Sequence, residues 1–231
     1  MENLLEESER NPCDPDDECC VELVAIADLP SGFGKYQVCG LVSPCDGKEH
    51  TAVIKGDIVD KEDVLVRLHS ECLTGDVLGS KRCDCRAQLH ESLRRIEEEG
   101  QGVLLYLRQE GRNIGLTEKL KAYALQDKGF DTIDANLLLG HGADERDYGV
   151  AAYILETLHV KSIRLLTNNP EKVKQLMSYD VEITERVPLI IEPDEYNKIY
   201  LETKKQKSGH MLGRHEETRD VDKVLELAGS E

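Results

Sequence analysis

The sequence contains no tryptophan and only 2 phenylalanines, and aromatic residues make up 4% of its 231 residues. A hydrophobic core must therefore be built mainly from Leu, Val, Ile and Ala, and a chain of this length can bury one. No apolar run approaches the ~18 residues needed to cross a bilayer. The N-terminal residues resemble neither a signal peptide nor a transit peptide. We therefore expect a soluble, cytoplasmic protein without a membrane partner.

Basic residues are also in short supply, since 29 Lys and Arg stand against 46 Asp and Glu, a net charge of −17. Duplex nucleic acid requires a basic protein face, so this balance argues against a nucleic-acid partner. A nucleotide is not excluded, because it needs only a local cluster of donors.

Residues 1–22 are rich in acid and are predicted to form a mobile acidic arm. One folded domain is expected over residues 23–212, followed by a polar C-terminal tail over residues 213–231.

The chain has 8 cysteines, an even number that could indicate disulfides. A cytoplasmic protein of this length neither needs disulfides nor usually keeps them, so thiols are the expectation. The sequence gives no reason to single out five of these thiols, namely Cys13, Cys19, Cys20, Cys39 and Cys45.

Short apolar segments alternate with amphipathic segments along the chain, which predicts an α/β fold. Four predicted strands come first without helices between them, so the N-terminal part should be strand-rich and mainly antiparallel. Helices and buried strands then alternate, as in a layered α/β sandwich with a mixed sheet. In the segment "TEKLKAYALQDKG" the spacing predicts a helix with Leu120, Tyr123 and Ala124 facing inward.

Three further cysteines, Cys72, Cys83 and Cys85, lie in the stretch "HSECLTGDVLGSKRCDCRAQ". Cys83 and Cys85 cannot readily form a disulfide with each other, because a ring closed over one residue is strained. They can instead bind one metal ion, and Cys72 is far enough upstream to return as a third ligand. Thiolates favour zinc, and three protein ligands leave a fourth position for water or substrate, as in catalytic zinc sites.

A closed structural zinc site is the alternative interpretation of these cysteines. It requires a fourth protein ligand, and His69, three residues before Cys72, and His90 are both near in the sequence. Structural zinc sites with four protein ligands are common. The spacing alone leaves the open and the closed site as alternatives.

The segment "RQEGRNIGL", residues 108–116, directly follows a predicted buried strand. Gly111 and Gly115 allow the backbone to approach a ligand closely, and Arg112 offers a planar pair of donors for phosphate. The alternative is an ordinary charged turn after a strand.

Two other loops contain residues suited to a phosphate-bearing ligand. In "LLTNNPEKVKQL" a buried strand ends at Thr167 and a helix follows, so Thr167 and Lys172 are placed where α/β proteins bind phosphate. In "GADERDYG" the carboxylate of Asp144 can orient the guanidinium of Arg146. The simpler interpretations are a capped helix and acidic residues that stabilise the next helix through its dipole.

Taken together, these segments resemble the GTP cyclohydrolase II family, from about Val24 to Leu212. The motifs that carry the resemblance occur in the family's order: "VRLHSECLTGDVLGSKRCDC", "RQEGRNIGL", "AYALQDKGFDT", "GADERDY" and "LLTNNPEKV". The resemblance implies an α/β sandwich, a homodimer, and a hydrolase that acts on the cyclic amidine of GTP. One departure is Arg86, since family members commonly have glycine after the second paired cysteine.

The resemblance also implies roles for individual residues. Cys72, Cys83 and Cys85 match the ligands of one catalytic zinc ion per subunit. Asp144 matches the proton acceptor, Arg146 a nucleophile toward the α-phosphate, and Tyr123 a tyrosine linked to ring opening. The positions that match GTP contacts are Arg67, Leu68, His69, Ser70, Glu71, Gln88, Glu110, Gly111, Arg112, Thr132, Thr167 and Lys172.

The reaction implied by the resemblance removes pyrophosphate from GTP and opens the imidazole ring with loss of formate, as the first committed step of riboflavin biosynthesis. Zinc would activate water for attack at C8, and magnesium would accompany the pyrophosphate. Glu110 could accept hydrogen bonds from the guanine edge. A guanidinium is normally always protonated, so physical chemistry favours Arg146 as a charge stabiliser oriented by Asp144. Two alternatives remain: an enzyme that stops at the formamide, and a non-catalytic protein that binds zinc or nucleotide.

Overall fold

A mixed seven-stranded sheet forms the centre of the computed structural model, in the strand order β1-β2-β3-β5-β4-β6-β7. The structure describes residues 1–10, 13, 20–44, 46–142, 144–192, 195, 197, 210–212 and 219–228. The strands are β1 Glu22–Ser31, β2 Gly34–Ser43, β3 Lys48–Lys55, β4 Val64–Ser70, β5 Gly102–Leu107, β6 Ser162–Leu166 and β7 Glu182–Val187. The helices are α1 Glu2–Arg10, α2 Leu73–Asp76, α3 Cys85–Glu99, α4 Leu116–Gln126, α5 Thr132–Leu138, α6 Gly149–Thr157, α7 Pro170–Ser178 and α8 Val221–Ala228.

The pairing of the strands divides the sheet into an antiparallel and a parallel half. β1, β2 and β3 pair antiparallel in sequence order, and β3 pairs antiparallel with β5. β4 pairs parallel with both β5 and β6, and β6 pairs parallel with β7. The predicted α/β sandwich with a mixed sheet and a strand-rich N-terminal part is therefore confirmed. Only β4 departs from the antiparallel expectation, since it lies inside the parallel half.

Both faces of the sheet are covered, as the alternation of side chains along β4 shows. Val64, Val66 and Leu68 belong to the main hydrophobic cluster, which also contains side chains of α6 and α7. Leu65 points to the opposite face and packs in a second cluster with Ile96 of α3. Arg67 and His69 follow Leu65 on this second face, where they replace apolar residues near the end of the strand.

Helix α4 buries a different face from the one that its apolar residues predict. Leu120 is 48% exposed, and Ala124 is exposed as well, whereas Lys119 and Ala122 are buried. The prediction that Leu120 and Ala124 face inward is therefore wrong. The physical reason is that α4 borders a polar cavity, so its inner face presents Lys119, Tyr123 and Gln126 to that cavity rather than to an apolar core.

The chain ends contain more regular structure than the sequence predicts. Within the expected acidic arm, α1 packs on β1, and Leu4 is buried in the main cluster. In the predicted polar tail, α8 packs on α7 and buries Val224 in the same cluster. The mobility of either segment stays a prediction. None of the described helices is both long and apolar enough to span a membrane.

The expectation of thiols at all of the N-terminal cysteines is wrong for one pair. Cys13 and Cys20 form a disulfide, with their Cα atoms 5.9 Å apart. The two cysteines are seven positions apart in the sequence, and this Cα–Cα distance is within the range that a disulfide spans. Cys39 is a buried free thiol, as expected. Cys19 and Cys45 lie outside the described residues.

Deleting residues 1–20 should lower stability without removing activity. The deletion removes α1 and the buried Leu4 side chain, so we expect the free energy of unfolding to fall by about 2 kcal/mol. No part of the cavity described below is lost, so turnover should stay within about tenfold of the full chain, equivalent to ~1.4 kcal/mol. Urea unfolding and steady-state rates measure the two effects, with Leu4→Ala in the full chain as control. A larger fall in turnover would place the N-terminal segment in the active site.

Candidate active site

A cavity opens where the parallel strands β4, β5 and β6 reach their C-terminal ends. Neighbouring parallel strands end at the same edge of the sheet, so the segments after Ser70, Leu107 and Leu166 lie side by side. These segments and the inner face of α4 supply most of the lining. The predicted site residues that line the cavity are Arg67, His69, Ser70, Glu71, Cys72, Cys85, Gln88, Glu110, Gly111, Arg112, Tyr123, Arg146, Thr167 and Lys172.

Three thiols converge at one side of the cavity. The Sγ atoms of Cys72, Cys83 and Cys85 all lie within 4.8 Å of one another, and those of Cys72 and Cys83 are 3.7 Å apart. Cys72 directly precedes the short helix α2, and Cys85 is the first residue of α3. The predicted trio is thus brought together at the starts of α2 and α3, with Cys83 two residues before α3.

Neither histidine that could close the thiol cluster joins it. The Nε2 atom of His69 is 3.0 Å from an oxygen of Asp76. The ring of His90 packs on Phe33, with ring centroids 4.8 Å apart. Among the residues that the structure describes, the cluster of possible metal ligands at this point consists of the three cysteines. This arrangement favours the open site over the closed one.

The protonation of the three thiols is strongly linked. Hydrogen bonds from the thiols of Cys83 and Cys85 lower the pKa of Cys72, and the nearby Lys119 adds to the effect. The same hydrogen bond to Cys72 raises the pKa of Cys83 to about 11. One thiolate is therefore favoured and two together are not, unless a cation compensates the added negative charge.

Asp76, which the sequence did not single out, connects three residues of the cavity region next to the thiols by hydrogen bonds. Its carboxylate accepts hydrogen bonds from the Tyr106 hydroxyl at 2.9 Å and from the Cys72 backbone N–H at 3.0 Å. It also contacts His69, whose ring stacks on Tyr106. Burial lowers the pKa of His69, although the Asp76 carboxylate acts in the opposite direction. His69 is thus held as a neutral imidazole with a fixed orientation.

Several buried polar atoms around the cavity have no hydrogen-bond partner in the described part of the chain. They include Arg67 Nε, His69 Nδ1, Ser70 Oγ and Gln109 Oε1. Buried polar groups are nearly always hydrogen-bonded, because an unmet donor or acceptor costs about 1–3 kcal/mol. All four of these residues line the cavity, so the site is suited to a polar ligand.

The loop after β5 has a backbone conformation that favours glycine. Gly111, Arg112 and Asn113 have φ angles of 64°, 62° and 74°, so three consecutive residues are in the left-handed region. A Cβ atom on Gly111 would lie 2.9 Å from the Gly115 carbonyl oxygen, so a side chain there would push the loop apart. Left-handed non-glycine residues cost energy and occur often at functional sites, as Arg112 does here.

Glu110 connects this loop to the thiol segment. Its Oε1 accepts hydrogen bonds from Lys119 Nζ at 2.6 Å and from the Gly111 N–H at 2.7 Å. Its Oε2 accepts the Leu73 N–H at 2.7 Å. A carboxylate offers about four acceptor positions, so the protein occupies most of them. A ligand with two donors would have to displace one of these protein donors.

Asp144 and Arg146 are adjacent, as the sequence predicts. Asp144 accepts hydrogen bonds from the Nε and Nη2 atoms of Arg146, the former at 2.8 Å. Burial raises the pKa of Asp144, but the hydrogen bonds and charges of Arg146 and Arg112 outweigh it, and the net pKa is lowered. Asp144 is therefore a carboxylate at neutral pH, a weak base, and well suited to orient the Arg146 guanidinium toward the cavity.

The segment after β6 adds a buried cation. Asn169 caps α7, and Thr167 is 1% exposed and accepts a hydrogen bond from the Asn169 N–H. Lys172, on the first turn of α7, is 5% exposed and donates to the Leu68 carbonyl oxygen at 2.8 Å. Thr167 and Lys172 line the cavity, which agrees with their predicted placement.

Tyr123 lines the cavity close to the thiols. Its hydroxyl is 3.2 Å from Thr74 Oγ1, which in turn is 3.7 Å from Cys72 Sγ. Burial raises the pKa of Tyr123, so the hydroxyl keeps its proton at neutral pH. The guanidinium of Arg82 lies over the tyrosine ring, 4.9 Å from its centroid, and fixes the ring further.

Four predicted site residues are not among the residues that line the cavity. Leu68 is in the hydrophobic core, and only its carbonyl oxygen contacts Lys172. Cys83 lies with the other thiols, and Asp144 lies behind Arg146. Thr132 is the first residue of α5, and its side chain is outside the described residues.

Arg86, the departure from the family pattern, is exposed. Its guanidinium lies against Gly79 rather than against the thiols, which keeps its charge away from the cluster.

The residues that the sequence did not single out include Thr74, Asp76, Lys119 and Tyr148. Thr74 and Asp76 lie in the cysteine-containing stretch and Tyr148 in the "GADERDYG" motif, so position within a motif was the available signal.

Comparison with known proteins gives one family. A family model described as GTP cyclohydrolase II matches residues 22–188. A riboflavin biosynthesis protein RibBA from Bacillus cereus is 57% identical over 195 residues, which are 84% of this chain and 49% of the relative. The RibBA protein from Phocaeicola vulgatus is 54% identical over 195 residues, 84% of this chain and 48% of the relative. The chain thus spans about half the length of the curated relatives it matches.

Among solved structures, a two-domain 3,4-dihydroxy-2-butanone 4-phosphate synthase, RibBX, from A. baumannii aligns with a TM-score of 0.37 and 18% identity. The alignment covers 71% of this chain and 37% of the other. The family match, by contrast, includes all seven strands and the cavity at the end of β4, β5 and β6. On this evidence, the chain belongs to the GTP cyclohydrolase II family.

Proposed function

We propose that this chain is a zinc-dependent hydrolase that opens the imidazole ring of GTP, with release of formate and pyrophosphate, in riboflavin biosynthesis. The observation that carries the proposal is one cavity lined by two chemically different groups, which we call the base end and the phosphate end. Three thiols lie at one end, and arginine and lysine side chains line the same cavity. A nucleoside triphosphate has a base that needs hydrolysis at C8 and phosphates that need cations, so its two parts match the two ends.

Zinc fits the thiol end. Soft thiolate sulfur is the donor that zinc favours, and the three Sγ atoms lie within 4.8 Å of one another, close enough to bind one ion. Gly75 also leaves room, because a Cβ atom there would lie 3.0 Å from Cys83 Sγ and 3.1 Å from Cys72 Sγ. Cys72, Cys83 and Cys85 would hold the ion, which would act as a Lewis acid that lowers the pKa of water near C8.

At the base end, Tyr123 would hand a proton to the opening ring or hold the attacking water. Its hydroxyl is protonated at neutral pH, because burial raises its pKa, and Thr74 holds it in place. The buried Glu110 borders the same region, and the two N–H donors of the guanine edge would take the place of one of its protein donors. Adenine has no N–H at the corresponding ring position and would leave this acceptor unmet.

At the phosphate end, Arg112, Arg146 and Lys172 would compensate the negative charge that develops as pyrophosphate leaves. Asp144 holds Arg146 through its guanidinium, so the arginine is oriented before the substrate arrives. This geometry supports Arg146 as a charge stabiliser, although the resemblance implies a nucleophile. We further propose magnesium with the departing pyrophosphate, since divalent cations with free coordination positions commonly bridge phosphate oxygens.

A homodimer in the cytoplasm is part of the proposal. Exposed large apolar side chains on and beside α4 and α5 support an interface, because apolar patches on soluble proteins often mark contact sites. These side chains are Leu120, Phe130, Leu137 and Leu138.

Two other functions would use the same cavity. An enzyme that leaves the formyl group as a formamide would need the phosphate end but only part of the base end. A non-catalytic protein would need zinc or nucleotide binding alone. The ordered Asp144–Arg146 pair and the placed Tyr123 hydroxyl favour full catalysis over both.

Incubation with GTP, zinc and magnesium separates these functions. We expect pyrophosphate and formate in equal amounts, together with a diamino-pyrimidinone ribosyl monophosphate, all measured in the same reaction. Removal of zinc should stop ring opening while some pyrophosphate release survives, because the phosphate end does not use the thiols. ATP should give neither product. If GTP gives none of the three products at full zinc occupancy, the non-catalytic alternative is correct.

Tyr123→Phe tests the base end. Loss of the hydroxyl should lower formate release by about 10²-fold, within the usual range for a positioned proton donor. Pyrophosphate release should continue, so a formamide product should accumulate, and liquid chromatography with mass spectrometry would detect it. Tyr153→Phe, which changes a tyrosine that packs on Tyr179 outside the cavity, is the control. Equal loss of both products in Tyr123→Phe would contradict a role confined to ring opening.

Cys83→Ser and Gly75→Ala test the zinc site. Serine is a poor zinc ligand, so Cys83→Ser should loosen or remove zinc and abolish formate release. Gly75→Ala should push the sulfur atoms apart and weaken zinc binding by roughly tenfold or more. Gly32→Ala is the matched control, since no atom lies within 4 Å of the added methyl group. Chelator competition measures affinity, and full zinc with normal formate in Cys83→Ser would remove Cys83 from the ligand set.

A further inference from the structure

Lys119 is a buried ammonium group between a thiol of the cluster and a carboxylate. It lies on α4 and is 9% exposed. Its Nζ atom is 3.1 Å from Cys72 Sγ and 2.6 Å from Glu110 Oε1, so it can donate a hydrogen bond to each. Lysine is almost never buried to this extent unless it is paired. The two partners explain why this lysine is buried.

The contacts of Lys119 form part of a closed ring. Glu110, which accepts from the ammonium, also accepts the backbone N–H of Leu73, the residue that follows Cys72. Lys119 therefore holds the Cys72 side chain directly and the neighbouring backbone through Glu110. The segment that carries Cys72 is therefore fixed at two points, by Lys119 of α4 and by Glu110.

The charge of Lys119 is as relevant as its position. Three thiolates bring three negative charges to a divalent ion and donate electron density to it, which weakens its action as a Lewis acid. A hydrogen bond from an ammonium withdraws density from the sulfur that accepts it, and such charge-assisted bonds are strong where water is excluded. Hydrogen bonds to ligand sulfur atoms are a recognised way in which proteins tune a metal site.

We propose that Lys119 is a positioning residue of the metal site, which fixes the Cys72 thiolate and reduces its electron donation to the ion. The inference rests on the zinc-dependent reaction proposed above. It gives a physical answer to how a site with three thiolates can still activate water. A purely structural lysine, which only holds α4 against the cavity wall, is the competing explanation.

Cobalt(II) replaces zinc in the experiment, because its thiolate-to-metal charge-transfer band reports the electron density on sulfur. In the full chain, Lys119→Met removes the hydrogen bond and the charge, so the band should move to longer wavelength. Formate release by the zinc enzyme should fall about 10- to 100-fold. Lys121→Met is the matched control, since Lys121 is on the same helix, exposed, and paired only with Glu118 among the ion pairs of the described chain. The Lys121→Met variant should show the same charge-transfer band and the same formate release as the unchanged protein.

Two further variants keep the test decisive if Lys119→Met does not fold. Lys119→Arg retains both donor and charge and should leave the band near its original wavelength, whereas Lys119→Gln retains a neutral donor and should shift it part of the way. A folded, cobalt-loaded Met or Gln variant with an unshifted band overturns the inference and leaves the proposed function standing. Absence of any thiolate-to-cobalt band in the unchanged protein would instead contradict the proposed metal site itself.

Discussion

The parallel pairing of β4 with β5 on one side and β6 on the other is the constraint on which the site depends. It places the ends of three strands at one edge, so that the segments after Ser70, Leu107 and Leu166 converge. Each segment carries a different chemical group: thiols, the left-handed loop with Arg112, and the cap with Lys172. A side chain on any one of them acts on a ligand only because the other two are held beside it.

Each of three carboxylates at this edge is hydrogen-bonded to a basic side chain, although the chain as a whole carries a net charge of −17. The carboxylates there do not face the ligand as free charges. Asp144 holds Arg146, Asp76 holds His69, and Glu110 holds Lys119. Each pairing orders a side chain before any ligand arrives, which reduces the reorganisation needed during reaction. Net charge therefore describes the surface of this protein and not its site.

The sequence could predict those features of the site that depend on residue type and near spacing. A Cys-x-Cys pair with a third cysteine upstream predicts the thiol cluster, and Asp144 two residues before Arg146 predicts their ion pair. The sequence could not predict which face of α4 is buried. Periodicity assigns apolar residues to the interior, but the interior beside α4 is a polar cavity, so Lys119 is buried and Leu120 is exposed.

The sequence by itself determined the family, the mixed α/β fold and the identity of most groups in the cavity, because motifs are local and their residues are read in order. Tertiary structure alone decided which groups act on one another. Lys119 contacts Cys72 across 47 positions, and Lys172 contacts Leu68 across 104. Neither pairing has a local signal, since a buried lysine and an exposed one look alike in a helical segment. Only the packing of α4 and α7 against the ends of the strands brings these partners within hydrogen-bonding distance.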